Sequence, residues 1–193
     1  MVAVGAELLL LCMTHPALHT DRLVLRPYVL SDVADLVRLA GAREIAATTL
    51  RIPHPYREED ALSFINSFSA EAEMGTSARF AITLREDGQL KGGVGLRIDK
   101  EHNHAELGYW IGVPYWGRGY ATEAARATVD YGFGTLKLRR IYASCVAQNT
   151  ASGRVLQKIG MRSEGCQRQH ICKWGEFHDL DLYGMVNGGQ SPG

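Results

Sequence analysis

The sequence carries no excess charge of either sign: 21 Lys and Arg balance 21 Asp and Glu over 193 residues. That balance leaves no global electrostatic footprint for nucleic acid, an anionic membrane or a strongly acidic partner, so a charged ligand has to be met locally. Cysteine is scarce as well. Cys12, Cys145, Cys166 and Cys172 contain no C-x-x-C pair, which argues against both a disulfide framework and a zinc module and makes a reducing, cytoplasmic setting the expectation. Long apolar runs are missing. The nearest, "GAELLLLCM", has no basic n-region, no small residue before Cys12, and an apolar stretch of about five residues, too short for a signal sequence or a membrane span. Neither G-x-x-x-x-G-K-[ST] nor G-x-G-x-x-G occurs, and no internal repeat or linker divides the chain.

What is present suits one well-packed domain, since 46% of residues are hydrophobic and a domain takes roughly 100 to 200 residues. Residues 1–14 read as a flexible N-terminal extension, because Met13 could itself initiate the protein. Residues 15–187 read as the domain and 188–193, "GGQSPG", as a disordered tail. "RLVLRPYVL" (Arg22 to Leu30) alternates as a strand. Ser31 is positioned to cap the helix in "SDVADLVRLAG", whose Val33, Leu36, Val37 and Ala40 share one face before Gly41 stops it. "RIPHPY" breaks the pattern, and "REEDALSFINSFSAEAEMG" is a second helix with acids in its first turn. "ARFAITLREDGQLKGGVGLRI" is two strands joined at an Asp-Gly turn, and "HAELGYWIGV" is a third. A helix over about Thr122 to Phe133, the strand "RRIYASCV", a helix closed by Gly160 and the strands "RSEGCQR" and "HDLDLYGMV" complete the order β-α-α-β-β-β-α-β-α-β-β. This is an α/β chain with a mixed sheet and helices on its faces.

The most informative stretch is "YWGRGYATEA", where Gly117 and Gly119 lie between a strand end and a helix start. Unpaired N–H groups and the positive end of the helix dipole converge there, and glycine permits positive φ and close approach of a ligand. The alternative reading is a tight strand-to-helix connection. The stretch resembles the acyl-CoA-binding motif of the GNAT N-acetyltransferases, [Q/R]-x-x-G-x-[G/A], with Trp116, Gly119 and Ala121 on its fixed positions and Trp116 departing from the usual Gln or Arg. The wording "AELGYWIGVPYWGRGYATEA" is similar to the RimJ/RimL branch, the ribosomal-protein-alanine acetyltransferases. The likeness runs in order from "TDRLVLRPYVLSD" through "NTASGRVLQKIGM" to "EGCQRQHICKWGEFHDLDLYGMV".

The resemblance implies a GNAT fold: a mixed, mostly antiparallel twisted sheet of about seven strands, about four helices, and a wedge between the fourth and fifth strands. It implies acetyl-CoA as donor and CoA as product, with the pyrophosphate held by Gly117, Arg118, Gly119, Tyr120, Ala121 and Thr122. For Arg118 a solvated arginine is the alternative. The oxyanion would be met by a backbone N–H within Trp110, Ile111, Gly112 and Val113, free only if that strand bulges away from its neighbour.

For a base, Glu106 is the leading candidate, with a half-exposed strand glutamate as the alternative and His104, on the same strand face, as the second candidate. The family's usual proton donor, a tyrosine seven residues after an asparagine, is missing: Asn149 is followed at that distance by Leu156. Ser152 is the serine that the RimL-like branch uses near this place, assisting the thiolate by hydrogen bonding or relaying water; its alternative is a capping residue. Asn149 is expected to bond the pantetheine arm. No metal is expected, because His170, Cys172, His178 and Asp179 match no zinc spacing, whereas Gly175, Asp179 and Tyr183 match a metal-free family pattern.

The implied activity is acetyl transfer to a primary amine by direct attack, the acceptor being the N-terminal α-amine of a ribosomal or other protein. A small-molecule acceptor (aminoglycoside or polyamine) and a non-catalytic acyl-CoA-binding domain are the alternatives. An acidic acceptor groove would favour polyamines or aminoglycosides, and a narrow slot protein N-termini. Neither nucleic acid nor a membrane is an expected partner, and homodimerisation is left open.

Overall fold

The computed structural model describes residues 16–188. The expected extension, residues 1–14, and all of the expected tail but Gly188 lie outside the described residues. The strands are β1 Leu18–His19, β2 Leu23–Arg26, β3 Ser77–Leu84, β4 Leu90–Asp99, β5 His104–Ile111, β6 Arg140–Val146, β7 Arg162–Lys173 and β8 Glu176–Val186. The helices are α1 Val33–Ala40, α2 Arg43–Thr48, α3 Glu58–Glu73, α4 Tyr120–Gly134 and α5 Thr150–Lys158. One sheet orders the strands β1-β2-β3-β4-β5-β6-β8-β7, antiparallel throughout except for the parallel neighbours β5 and β6. The described strands and helices therefore exceed the expected seven and four by β1 and α2, and the expected wedge between the fourth and fifth strands lies between β5 and β6.

Alternation along the strands divides the buried residues between two faces. Phe80 and Ile82 point with Leu96, Leu107, Ile111 and Ile141 into a core beneath α4, where Ala124 and Ala125 bring the helix close to the sheet. On the other face Ala81 and Leu90 pack with Tyr28, Leu36 and Leu39 beneath α1 and α3. Gly93 lets Tyr28 and Trp110 cross above β4, since a Cβ there would collide with the Tyr28 hydroxyl and the Trp110 indole.

The strand read over Arg22 to Leu30 stops at Arg26, because Pro27 cannot donate to a ladder and the chain turns into a 3-10 segment at Leu30–Asp32. Ser31 does not cap the helix. Asp32 precedes the helix instead, without a side-chain cap bond to it; only 5% exposed, its carboxylate turns back to accept the Val29 N–H at 2.9 Å and the Arg26 guanidinium in two bonds of 2.7 Å. That pairing raises the pKa of Arg26 above its ordinary value. The last hairpin is longer than "RSEGCQR" and "HDLDLYGMV" suggest, because Trp174 and Gly175 form a two-residue turn with φ of 50° and 86°, the conformation that matches the twist of paired strands.

The wedge follows from divided pairing. β5 runs in unbroken register with β4 from Asp99↔His104 to Gly92↔Ile111, and β6 pairs with β8 from Arg140↔Val186 to Val146↔Leu180. Between β5 and β6 only His104↔Arg140, Ala105↔Ile141 and Glu106↔Tyr142 are in register, and the strands part beyond them. No described helix is long and apolar enough to cross a membrane.

Replacing Asp32 by Ala leaves the Val29 N–H without its acceptor and Arg26 without its carboxylate, so Asp32→Ala should lower the unfolding free energy by about 2 kcal/mol or more. Denaturant unfolding of the two proteins measures the difference.

Candidate active site

β5 carries the site. Its even-numbered side chains lie on the α1/α3 face with Trp110, and its odd-numbered ones, Leu107, Tyr109 and Ile111, on the α4/α5 face. Glu106, 8% exposed, therefore faces away from α4 and α5. Its Oε2 accepts Arg97 Nη2 and Arg51 Nη2, each at 2.6 Å. Arg97 stands opposite it on β4, whereas Arg51 comes from the loop after α2. Glu106 is thus buried and doubly ion-paired, unlike the half-exposed glutamate of the alternative reading.

Glu106 lines a cleft of about 420 Å³ with Arg51, Tyr142, Ser144, Arg140 and Glu164. Glu164 is paired with the Arg140 guanidinium through both carboxylate oxygens, which holds its carboxyl below the usual range. Each carboxylate lining the cleft is therefore matched by an arginine. His104 stays out of the cleft lining: its ring stacks on His102 and meets Tyr142 edge-on, and its buried Nδ1 has no partner among the described residues.

The backbone groups that face the wedge follow from register. Gly112 N–H donates to Lys91 C=O at 2.8 Å, so the even-numbered residues of β5 turn their N–H groups toward β4 and the odd-numbered ones turn away from it. Of the expected Trp110-to-Val113 span, Trp110 and Gly112 are committed to β4. Ile111, and Tyr109 just outside the span, present their N–H groups to the wedge. The expected bulge is absent from β5, because departure of β6 frees these groups without one. The Ile111 carbonyl accepts the Trp116 indole N–H at 2.5 Å, which gives the unusual tryptophan of the motif a place.

At the glycine turn, Gly117 and Gly119 have φ of 75° and 80°, and Gly119 is the N-cap of α4. The first bond of the helix runs from Glu123 N–H to Gly119 C=O at 3.1 Å, so the N–H groups of Tyr120, Ala121 and Thr122 precede the ladder. The space is open: a Cβ on Gly117 would meet nothing within 4 Å, and one on Gly119 only Arg22 Nη2 at 3.4 Å. Arg22 ties this turn to β2. Its Nε donates to Glu123 Oε2 at 2.7 Å and its Nη1 to the Arg118 carbonyl at 3.0 Å, and its guanidinium lies 4.9 Å from the centre of the Tyr120 ring. Thr20 Oγ1 and Arg22 N–H both donate to Glu123 Oε1, at 2.6 and 2.9 Å. Burial alone would raise the Glu123 carboxyl, but these bonds outweigh it and hold it below the usual carboxylate range. The Arg118 side chain lies over Tyr115, 5.9 Å from the ring centre.

On the other side of the wedge Asn149, not Ser152, caps α5: Asn149 Oδ1 accepts the Ser152 N–H at 3.1 Å. The Ser152 hydroxyl meets Tyr109, whose Oη lies 2.8 Å from Ser152 Oγ and donates to the Ser152 carbonyl at 3.1 Å, and it is also within hydrogen-bonding reach of the Cys145 thiol. Leu156, at the position of the missing tyrosine, is buried in the core. Among the described residues no group of three or more His, Cys, Asp or Glu could hold a metal ion. Asp179 of the C-terminal cluster instead accepts the Gln169 N–H at 2.8 Å within the hairpin.

Sequence reading passed over Arg51, Arg97, Arg22, Glu123 and Tyr109. Hairpin register could have placed Arg97 opposite Glu106, and alternation could have put Tyr109 on the face opposite Glu106. No local signal joins Arg51 to Glu106 or Arg22 to Glu123.

The model of the "Acetyltransferase (GNAT) domain" family matches residues 22–162. An uncharacterized N-acetyltransferase of Bacillus subtilis, YoaA, is 33% identical over 172 residues, covering 89% of this chain and 97% of that protein. The [ribosomal protein uS5]-alanine N-acetyltransferase of Escherichia coli is 28% identical, covering 91% of this chain and 93% of that protein. Mycobacterium smegmatis RimJ, solved in complex with CoA-disulfide, superposes with a TM-score of 0.77 at 25% identity, covering 91% of this chain and 89% of that one.

Because the folded Glu123 carboxyl titrates below its ordinary value, its stabilisation is complete above that value and lost as pH falls through the depressed one. Glu123→Gln should lower stability at neutral pH by about 1 kcal/mol and make the acid limb of stability against pH shallower. Thermal melts between neutral and acid pH give both readouts.

Proposed function

The chain belongs to the GNAT acetyltransferase family, and from that premise we propose that it moves the acetyl group of acetyl-CoA to the N-terminal α-amine of a protein by direct attack in a ternary complex. The observation that carries the reading is the distribution of chemistry about β5. Glu106 stands on the α1/α3 face beside the cleft, the Ser152 and Tyr109 hydroxyls stand on the α4/α5 face, and the strand between them borders the wedge.

The residues present fit acetyl-CoA. Positive-φ glycines with open space around them and three N–H groups ahead of the α4 ladder suit a pyrophosphate, and the unpaired inner edges of β5 and β6 suit an extended arm with amides of its own. Gly117, Arg118, Gly119, Tyr120, Ala121 and Thr122 are assigned to the pyrophosphate, and Asn149 and Ser152 to the arm and its sulfur. When bound, acetyl-CoA supplies an activated acyl carbon and a thiol leaving group. Glu106, oriented by the two guanidiniums on Oε2, takes a proton from the incoming ammonium, directly or through water. The N–H groups of Tyr109 and Ile111 are the donors available to a developing oxyanion at the wedge. Ser152 serves the departing sulfur.

Cleft charge separates the acceptors. A polyamine or aminoglycoside needs carboxylates free to meet several ammonium groups, and here both lining carboxylates are engaged by arginine. A single amine on a chain end requires only one base and room beside it. The uS5-alanine acetyltransferase among the relatives agrees with that class of acceptor. The setting is the cytoplasm, where Cys145, Cys166 and Cys172 stay unpaired.

Thiol release from acetyl-CoA, measured against peptides with varied N-termini, aminoglycosides and polyamines, tests the reading. Turnover with peptides alone is expected. Turnover with polyamines alone would reassign the acceptor, and turnover with none would return the chain to acyl-CoA binding. Gly119→Val should weaken CoA binding at least about tenfold in a folded protein, by calorimetry, because a β-branched residue resists that φ and fills the anion site. Glu106→Gln should lower kcat/KM by about 10²- to 10⁴-fold, most at low pH, with partial recovery as the acceptor, with a pKa of about 8, deprotonates unaided.

A further inference from the structure

The helix after β6 lacks the tyrosine usual in the family, yet a phenol reaches the N-terminal turn of that helix from β5. Tyr109 Oη and Ser152 Oγ are 2.8 Å apart, and either can be the donor. The phenol also reaches the Ser152 carbonyl at 3.1 Å. We infer that Tyr109 is a positioning residue that turns the Ser152 hydroxyl outward as a hydrogen-bond donor to the thiolate leaving acetyl-CoA. The inference rests on the acetyltransferase reading above.

Serine has one hydroxyl hydrogen, and its use decides the matter. When the Tyr109 hydrogen goes to the Ser152 carbonyl, Ser152 spends its own on the phenol oxygen or the Cys145 thiol and offers none outward. When the phenol hydrogen swings to Ser152 Oγ, the serine hydrogen is released toward the wedge and the two O–H dipoles align. Negative charge growing on sulfur selects the second arrangement, because each bond in such a chain polarises the next. The surroundings favour the same anion: Ser152 is in the first turn of α5, at the positive end of the helix dipole. Leu107 and Ile111 flank Tyr109 on the same face of β5, and burial pushes its phenol well above the ordinary tyrosine value, so it remains a donor across the working pH range.

Neither hydroxyl gives up its proton, since phenol and alcohol are both weaker acids than a thiol of pKa about 8.5. As the amine nitrogen bonds to the acyl carbon, the C–S bond breaks and its electron pair stays on sulfur. The proton lost by nitrogen is the one that ends, through base and solvent, on the thiol. The Tyr109–Ser152 pair lowers the energy of the thiolate in the interval.

Product CoA reads this stabilisation without any acceptor. Thiolate absorbance of CoA bound to the intact protein, followed against pH, should show the thiol ionising more readily than in free CoA. Tyr109→Phe should reduce the thiolate fraction at a fixed pH near the midpoint by about threefold. Ser152→Ala should do the same, and Tyr109→Phe should add nothing in the Ser152→Ala background. With an accepted amine, Tyr109→Phe should lower kcat by about tenfold at unchanged acetyl-CoA affinity. Ser152→Thr, which keeps a hydroxyl, should retain the dependence on Tyr109.

A Tyr109→Phe protein with wild-type thiolate fraction and kcat would overturn the inference, as would an equal further loss in the Ser152→Ala background. A wild type that transfers acetyl to no amine defeats the acceptor reading, while the CoA titration still decides the role of Tyr109.

Discussion

The site depends on a conflict of backbone allegiance at the centre of the sheet. β5 gives its even-numbered N–H groups to β4 as far as Gly112, β6 is held by β8 over its whole length, and the parallel contact between them ends after Glu106↔Tyr142. Parallel pairing is the less stable kind per residue, so it yields where two antiparallel ladders compete with it. Hydrogen-bonding groups on the odd-numbered positions of β5 are left facing a gap. An unpaired inner strand is a liability unless something with amides of its own can lie along it.

Period-two alternation then converts a strand into a divider. Glu106 and Tyr109 are three residues apart and so point to opposite faces, placing a carboxylate on one side of the sheet and a hydroxyl pair on the other. Each is held by groups remote in sequence. Arg51 reaches Glu106 across the domain, and α5 brings Ser152 to Tyr109 with its own N-terminus capped by Asn149. These contacts restrict the functional groups to one orientation each, which limits the motion to be frozen when substrates arrive.

The glycine turn has a similar dependence on distant support. Positive φ at Gly117 and Gly119 shapes the loop, but Arg22, Thr20 and Glu123 fasten it to the first strands of the domain. Arg22 is at once an ion-pair partner, a donor to the Arg118 carbonyl and a lid on the Tyr120 ring, so the segment that leads into β2 participates in shaping the turn.

Local rules made much of this legible in the sequence. Alternation marked β3, β4 and β5, Asp-Gly marked the turn between β3 and β4, and the glycines after β5 marked a positive-φ turn into a helix, because backbone sterics act over a few residues. The same rules expected a Ser31 cap on α1, but the helix has no side-chain cap there and the acid beside it, Asp32, pairs with Arg26 instead. They could not supply Arg51 for Glu106 or tell which N–H groups of β5 are free, because the first needs a contact across 55 residues and the second needs to know which neighbour each strand prefers. Sequence by itself determined the strands, the turns and the family's signature. Only tertiary structure decided that β6 leaves β5, and that a tyrosine on the strand meets a serine on the helix, since both are outcomes of long-range competition among pairings that no local stretch encodes.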